Sequence, residues 1–430
     1  MSRPAARPLL PALRCGVLLV LVTAVVGDEA FIQPVQAQAG SLTGQDLSEL
    51  ARLGQLIFQD ESLSASGKMS CQTCHAPEHA HAAAPSDSVT PGGARLDRRG
   101  FRNSPSIRYL HLTPVFHFDP EGTPVGGFFR DGRASTLVVQ VRGPFLDPNE
   151  MANSSVQSLV DKLQAAPYVS TFKRHFGADV MDDPQRALEA AALALARFLT
   201  ESRDLHPFDS KYDAYLAGQT TLTAQELQGL KLFNDPEKGN CAACHPSDPG
   251  DDGSPPLFTD FTYDNLGVPR NADIPANADD AFFDLGLCGP QRSDLARDDL
   301  CGAFKVPSLR NVAKTSPYFH NGRFQTLEEV VEFYVRRDTH PEQWYPTGPD
   351  GVRRFDDLPV EMHGNVNVTE APYDRKPGDQ PALTADEIRD VVAFLRTLDD
   401  GYPPDRASAQ FAQPQAQGRA KRSPHPERVR

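Results

Sequence analysis

No stretch of this sequence is apolar enough to cross a bilayer. Its longest apolar run, Cys15 to Val26, has twelve residues, and a spanning helix needs about 20, so a polytopic membrane protein is excluded. Positive charge is scarce: 43 basic residues face 57 acidic ones for a formal charge of -14. Both ends are net basic, so the stretch from 40 to 400 is more acidic than the whole. Such a surface repels phosphate backbones, which excludes nucleic acid as a natural partner, and a protein partner is expected to be basic or to dock on an apolar patch. No convincing alternating strand of five or more residues occurs, and tryptophan occurs once, as Trp344. Proline is abundant instead, with 38 residues, which excludes a long uninterrupted coiled coil and predicts long irregular connections. With 39% hydrophobic and 23% charged residues over 430 positions, the chain reads as a soluble globular protein of two or three domains.

Arg3, Arg7 and Arg14 precede the apolar run, and a polar stretch ending Ala37-Gln38-Ala39 follows it. This is the three-part pattern of a secretory signal with an A-x-A cleavage site, so residues 1–39 are expected to be removed on export to the periplasm. An uncleaved anchor is the alternative. Residues 401–430 read as a short, basic, proline-containing disordered tail.

Removal of the signal takes Cys15 with it and leaves six cysteines. Cys71-Gln72-Thr73-Cys74-His75 and Cys241-Ala242-Ala243-Cys244-His245 both read C-x-x-C-H, the attachment pattern of a c-type haem. On a helical turn, residues three apart share one side and can form thioethers to the two haem vinyl groups, while the next residue, histidine, reaches the iron. Two such motifs behind an export signal predict two covalently bound haems. A four-cysteine zinc site or a pair of disulfides is the alternative, and it leaves both histidines unexplained. Cys288 and Cys301 lack this spacing and read as a disulfide suited to an oxidising compartment, contributing about 3 kcal/mol on the chain-entropy view. Two free thiols are the other reading.

The motifs sit in an internal repeat. Leu53 to Phe58 precedes the first and Gly229 to Phe233 the second, and each lead-in opens with Leu-Thr followed by an acid: Leu42-Thr43 with Asp46, Leu222-Thr223 with Glu226. The hydroxyl caps free amides and the acid favours the positive helix end, which predicts helix starts at both places and at Leu383-Thr384 with Glu387. Further helical patterns run from Val156 to Leu163, over 186–199, and from Leu327 to Val335. The fold class expected is all-α: two cytochrome-c-like haem domains packed together, residues 40–205 and 206–400, with long irregular loops. Proline-rich stretches at 246–256 and 341–381 read as surface insertions.

From about residue 42 to 400 the chain resembles the bacterial di-haem cytochrome c peroxidases and their MauG-type relatives. Beyond the haem motifs, the resemblance rests on Arg102-Asn103-Ser104-Pro105-Ser106, Phe129-Arg130-Asp131-Gly132-Arg133, Gly143-Pro144 with Glu150-Met151, and Val306 to Asn311 continuing through Pro317 to Gly322. It implies that the haem on His75 is the peroxide site. Gln140, Pro144 and Glu150 would then form the distal pocket, Glu150 acting first as base on peroxide and then as acid to the departing oxygen. Read without the family, Glu150 is a solvated loop acid or a helix cap. In the peroxidases proper a loop histidine closes the open iron face; Arg95 stands eight residues before Asn103, and only His79 and His81 are histidines of that loop, which favours an open face. The haem on His245 would be the electron relay. Fourteen residues after His320, where the peroxidases proper have methionine, stands Tyr334, and a phenolate ligand there would stabilise oxidised iron. Tyr334 otherwise reads as a core tyrosine, and Met362 is the competing ligand. The resemblance also implies a calcium held by Asn103, Thr315 and Pro317, whereas Asn103 alone reads as a turn cap.

One departure stands out: Arg130 occupies the position where the family usually has an inter-haem tryptophan, leaving Tyr109 or Phe129 as candidate relays. The expected function is a periplasmic di-haem peroxidase that reduces hydrogen peroxide with electrons from a cytochrome c or cupredoxin, and a homodimer is compatible with it. The alternatives are a MauG-type enzyme oxidising residues of a partner protein, and a non-catalytic di-haem electron carrier or sensor.

Overall fold

The computed structural model describes residues 47–295 and 297–403. The expected signal segment, the Leu42-Thr43-Asp46 start signal and the tail beyond residue 403 lie outside the described residues. Helix α1 (Glu49–Gln59) starts at Ser48, whose hydroxyl accepts from the Ala51 amide at 3.1 Å. Ser48 also donates from its backbone and its hydroxyl to Glu201. A tertiary partner thus holds the capping residue of this helix in place. A single turn, α2 (Cys71–Cys74), carries the first cysteine pair.

Helix α3 (Leu137–Leu146) has no counterpart in the sequence reading. Its β-branched residues and Gly143-Pro144 argue against a helix, yet Leu137, Val141 and Phe145 recur every four residues and bury one face. Pro144 carries no amide hydrogen and cannot bond the Gln140 carbonyl. Helices α4 (Val156–Ala165) and α6 (Pro184–Glu201) fall where the periodicity puts them, and α5 (Val169–Phe176) and the short α7 (Lys211–Leu216) are additional. Asp183 caps α6 by accepting from the amides of Gln185 and Arg186, with Pro184 at the first helical position. Helices α8 (Ala224–Asn234), α9 (Leu327–Arg336) and α10 (Ala385–Leu395) each begin in a reciprocal capping box, at Thr223 with Glu226, Thr326 with Glu329 and Thr384 with Glu387.

The internal repeat is a packing repeat. Helix α1 crosses α6 and α8 crosses α10, and in both crossings a glycine lies against a backbone carbonyl. A Cβ on Gly54 would sit 1.9 Å from the Ala194 oxygen, and one on Gly229 would sit 1.9 Å from the Asp390 oxygen. Only hydrogen fits there, because the crossings bring backbone against backbone. Gly54→Ala is therefore expected to lower unfolding free energy by about 1–3 kcal/mol through overpacking. Gly364→Ala, where an added methyl meets nothing within 4 Å, should stay within about 0.5 kcal/mol of wild type. Urea denaturation of the two variants side by side tests this; equal stability would mean that the α1–α6 crossing yields freely.

Two hydrophobic clusters result, one running from Leu53 to Leu205 and the other from Tyr212 to Leu398. All these residues belong to one compact unit. Charged groups join the two stretches: Arg102 donates to Asp284 at 2.6 and 2.7 Å as well as to Asp131, and Tyr109 and Arg108 both donate to Asp400. The fold is mostly helical. Among the described residues its strands form four antiparallel pairs, each strand two residues long, including Pro91–Gly92 with Arg98–Arg99 and Tyr263–Asp264 with Phe304–Lys305. Cys288 and Cys301 are disulfide-bonded, with Cα atoms 5.0 Å apart.

The stretch 341–381 is not a surface insertion. Tyr345, Phe355, Leu358, Val366 and Tyr373 within it are buried, and it wraps the second core as irregular chain. Its regular structure is limited to short helical turns and one two-residue strand pair, Thr347–Gly348 with Gly351–Val352, but its large apolar side chains still need cover.

Candidate functional site

The turn α2 puts Cys71 and Cys74 on one side, as residues three apart must be. The His75 amide donates to the Cys71 carbonyl at 3.0 Å. The His75 Nδ1 lies 3.2 Å from the His81 carbonyl. A carbonyl only accepts, so Nδ1 carries the proton and the Nε2 lone pair is left for a metal. Burial pushes His75 below the usual histidine range, which keeps the ring neutral as iron ligation requires. The second motif repeats this: the His245 amide donates to Cys241 at 2.9 Å, and its Nδ1 donates to the Phe258 carbonyl at 2.8 Å. All four motif cysteines are free of disulfides. Among the described residues no three His, Cys, Asp or Glu side chains converge to hold a metal ion, so a shared four-cysteine zinc site has no geometry to support it.

His81 belongs to the His75 side of the first site. Its carbonyl accepts from His75, and its imidazole Nδ1 accepts from Arg108 Nε at 3.4 Å. Burial, then the Arg108 charge, brings it down to about 4. Arg95 is exposed and pairs with Asp97.

Glu150 lies in the turn after α3, and its backbone is held firmly. Its amide donates to the Asp147 carbonyl at 3.0 Å, and its own carbonyl accepts from Gly93 at 2.8 Å. The approach is so close that a Cβ on Gly92 would sit 2.0 Å from the Asn149 oxygen. The Glu150 carboxyl makes no hydrogen bond among the described residues. Burial, then the Asp147 charge, raises it to about 7, with Arg133 pulling the other way. Its charge in turn raises both Cys71 and Cys74, so the carboxyl is close to the attachment pair. Gln140 and Pro144 lie on α3 just before it, and Phe129 packs against this helix at Gly143 beneath the Arg133 guanidinium, which is 3.6 Å from the Phe129 ring centre. After burial, Asp147 and Arg133 are the charges that adjust the Glu150 proton affinity. Nothing in their sequence spacing singles them out, because only the turn brings them together.

The second cysteine pair opens on a large cavity with apolar walls from Phe233, Leu327, Val331 and Leu395. His245 and Tyr334 both line it. Tyr334 stacks on Phe319 at 5.8 Å and lies 5.8 Å from Tyr373, ring centre to ring centre. Its hydroxyl has no hydrogen-bond partner among the described residues. Burial, then the Asp264 carboxylate, holds the phenol well above the usual tyrosine range, so it keeps its proton unless a cation faces it. Met362 does not line the cavity, and its sulfur accepts from Asn365. Met69 and Met151 are buried in the first cluster. Tyr373 was not picked out from the sequence because it lies in the proline-rich stretch. An apolar chamber flanked by a thiol pair, a neutral imidazole with a free Nε2 and a phenol fits a covalently held haem.

Arg130 also lines this cavity. Its Nε donates to the Asn103 carbonyl at 3.0 Å and its Nη2 to the Asn103 side-chain oxygen at 3.1 Å. The amide oxygen expected to face calcium thus faces a guanidinium, so the residues do not fit the ion in the way the resemblance implies. Of the candidate relays, Tyr109 is buried with its hydroxyl on Asp400 at 2.6 Å and does not line the cavity, whereas Phe129 packs beside α3.

The comparisons agree with this geometry. Residues 48–221 match the family described as Di-haem cytochrome c peroxidase. The chain is 36% identical over 370 residues to the methylamine utilization protein MauG of Paracoccus denitrificans, covering 82% of this chain and 88% of that one. It is 30% identical over 378 residues to the cytochrome c551 peroxidase of Nitrosomonas europaea, covering 86% and 85%. The crystal structure of the diheme peroxidase BthA from Burkholderia thailandensis superposes with a TM-score of 0.76 at 40% identity, covering 89% of this chain and 92% of that one. Two C-x-x-C-H turns, each with a Nδ1-tethered histidine, and kinship over more than four-fifths of the chain lead to one conclusion: this protein belongs to the di-haem cytochrome c peroxidase and MauG family of oxidoreductases.

Proposed function

We propose that the protein is an exported di-haem peroxidase that reduces hydrogen peroxide to water, drawing electrons one at a time from a small redox protein. Haem c held by Cys71, Cys74 and His75, and by Cys241, Cys244 and His245, supplies a Lewis-acidic iron and one-electron redox chemistry. The observation that carries the reading is Glu150, a half-buried carboxyl without a hydrogen-bond partner among the described residues, poised near neutral pH beside the first attachment pair. A group with that proton affinity takes a proton from one peroxide oxygen and returns it to the other as the O–O bond breaks. Two further protons come from solvent, so one peroxide, two protons and two electrons give two waters. The Gln140 amide orients the peroxide, and the Pro144 ring limits the space above it. His81 is tethered on the His75 side, which supports an iron face open to peroxide without prior reduction. Tyr334, which lines the same cavity as His245, would help hold the second haem.

A second reading, oxidation of residues in a partner protein, is favoured by Tyr334, the MauG-type feature of this chain. It is disfavoured by Arg130 in place of the inter-haem indole. Low-temperature electron paramagnetic resonance of the diferric protein separates the readings that matter most. A high-spin signal that stoichiometric peroxide abolishes, beside a low-spin one, is the expected result. Two low-spin signals indifferent to peroxide, even after one-electron reduction, would leave an electron carrier or sensor.

A further inference from the structure

Cations and carboxylates both line the second cavity, Arg130 and Lys305 among the former and Asp264, Asp284, Asp357 and Glu370 among the latter. The charges that act on Cys244 are the carboxylates of Asp260, Asp264 and Glu370, whereas those that act on Lys305 are Asp131 and Arg130. Arg130 and Lys305 both line the cavity and adjoin one another, the Lys305 amide donating to the Arg130 carbonyl at 2.9 Å. Other buried guanidiniums are paired: Arg102 with Asp131 and Asp284, Arg310 with Asp213, Arg337 with Asp338. Arg130 and Lys305 form no ion pair among the described residues. Lys305 Nζ has only the Gly127 carbonyl, and Arg130 Nη1 has no acceptor. Two adjacent, half-buried cations without an ion-pair partner are costly unless an anion completes them. Burial accordingly draws Lys305 down to about 7 and Arg130 down to about 10.

A haem carries its vinyl groups and its two propionates on opposite edges. With the vinyl edge held at Cys241 and Cys244, the carboxylate edge would need cationic partners elsewhere on the cavity wall, and among the described residues Arg130 and Lys305 are the lysine and arginine side chains that line it. We propose that Arg130 and Lys305 form a carboxylate-binding clamp for the propionates of the haem carried by His245. The proposal rests on the reading that a haem fills this cavity. Because Arg130 also holds Asn103 by two hydrogen bonds, the clamp ties that carboxylate edge to the N-terminal half of the chain, at the position of the missing indole.

The test uses the two-haem protein and its Lys305→Met, Arg130→Met and charge-conserving Lys305→Arg variants. The reduction potential of the haem in this cavity is followed optically, and its propionate bands by redox-difference infrared spectroscopy. Removing a cation favours the ferric state, which carries the additional positive charge. Each methionine variant should shift the ferric-to-ferrous equilibrium at least tenfold towards ferric, a fall of about 59 mV for a one-electron couple, with displaced carboxylate bands. Lys305→Arg should keep both near wild type. Unchanged potential and unchanged carboxylate bands in both methionine variants would overturn the clamp and leave the two-haem reading intact. A pyridine haemochrome assay finding no haem on Cys241 and Cys244 of the wild type would overturn both.

Discussion

Glu150→Gln is expected to lower kcat/KM for hydrogen peroxide by about 10²- to 10⁴-fold, the usual worth of a positioned acid–base group, with both haems still bound. The turn after α3 fixes the backbone on both sides of this residue, and an amide of the same shape preserves that packing. Its pH profile gives a sharper check. A base must be ionised to accept a proton, and burial holds Glu150 at about 7. Activity in the wild type should therefore rise as pH increases through about 7 and level off above it, and this limb should vanish in Glu150→Gln. Arg133 opposes the upward shift, so Arg133→Leu should move the limb to higher pH. A Glu150→Gln enzyme with wild-type turnover and an unaltered profile would mean that the proton travels by another group.

The second large effect concerns Tyr334. Tyr334→Phe removes the only atom that this side chain can offer to iron while keeping its stack on Phe319. The haem on His245 should lose its low-spin signal and become high-spin. Its potential should rise by a substantial part of the roughly 0.8 V that axial ligands command, since a phenolate favours the ferric state. Met362→Leu, remote from the cavity, should change neither quantity. A low-spin signal that survives Tyr334→Phe would sink Tyr334 as ligand and point to Tyr373, the neighbouring phenol on the same cavity.

How far the sequence could be read depended on how local each signal was. The C-x-x-C-H turns, the capping boxes at Thr223 and Thr384 and the alanine-rich α6 are decided by residues within one or two turns of each other. Ser48, by contrast, caps α1 while bonded to Glu201, a partner 153 positions away that no local pattern reveals. Helix α3 was missed because burial of Leu137, Val141 and Phe145 outweighs the poor helix propensity of Val138, Val139, Gly143 and Pro144. The proline-rich stretch 341–381 was misread as surface for a related reason: proline reports on backbone regularity, not on what the chain packs against.

The same division holds at the site. The sequence alone determined that two histidines each follow a cysteine pair, that Glu150 stands where the resemblance places the distal pocket, and that Tyr334 and Arg130 stand where the peroxidases proper have methionine and the family usually has tryptophan, because those features are matters of identity and short spacing. Only the tertiary structure decided that His81 is tethered on the His75 side, that Tyr334 rather than Met362 lines the second cavity, and that Asn103 serves Arg130. It also decided that Lys305, unremarked in the sequence, lies beside Arg130 without an ion-pair partner among the described residues. These are statements about burial and electrostatic neighbours, which depend on which distant segments fold against one another.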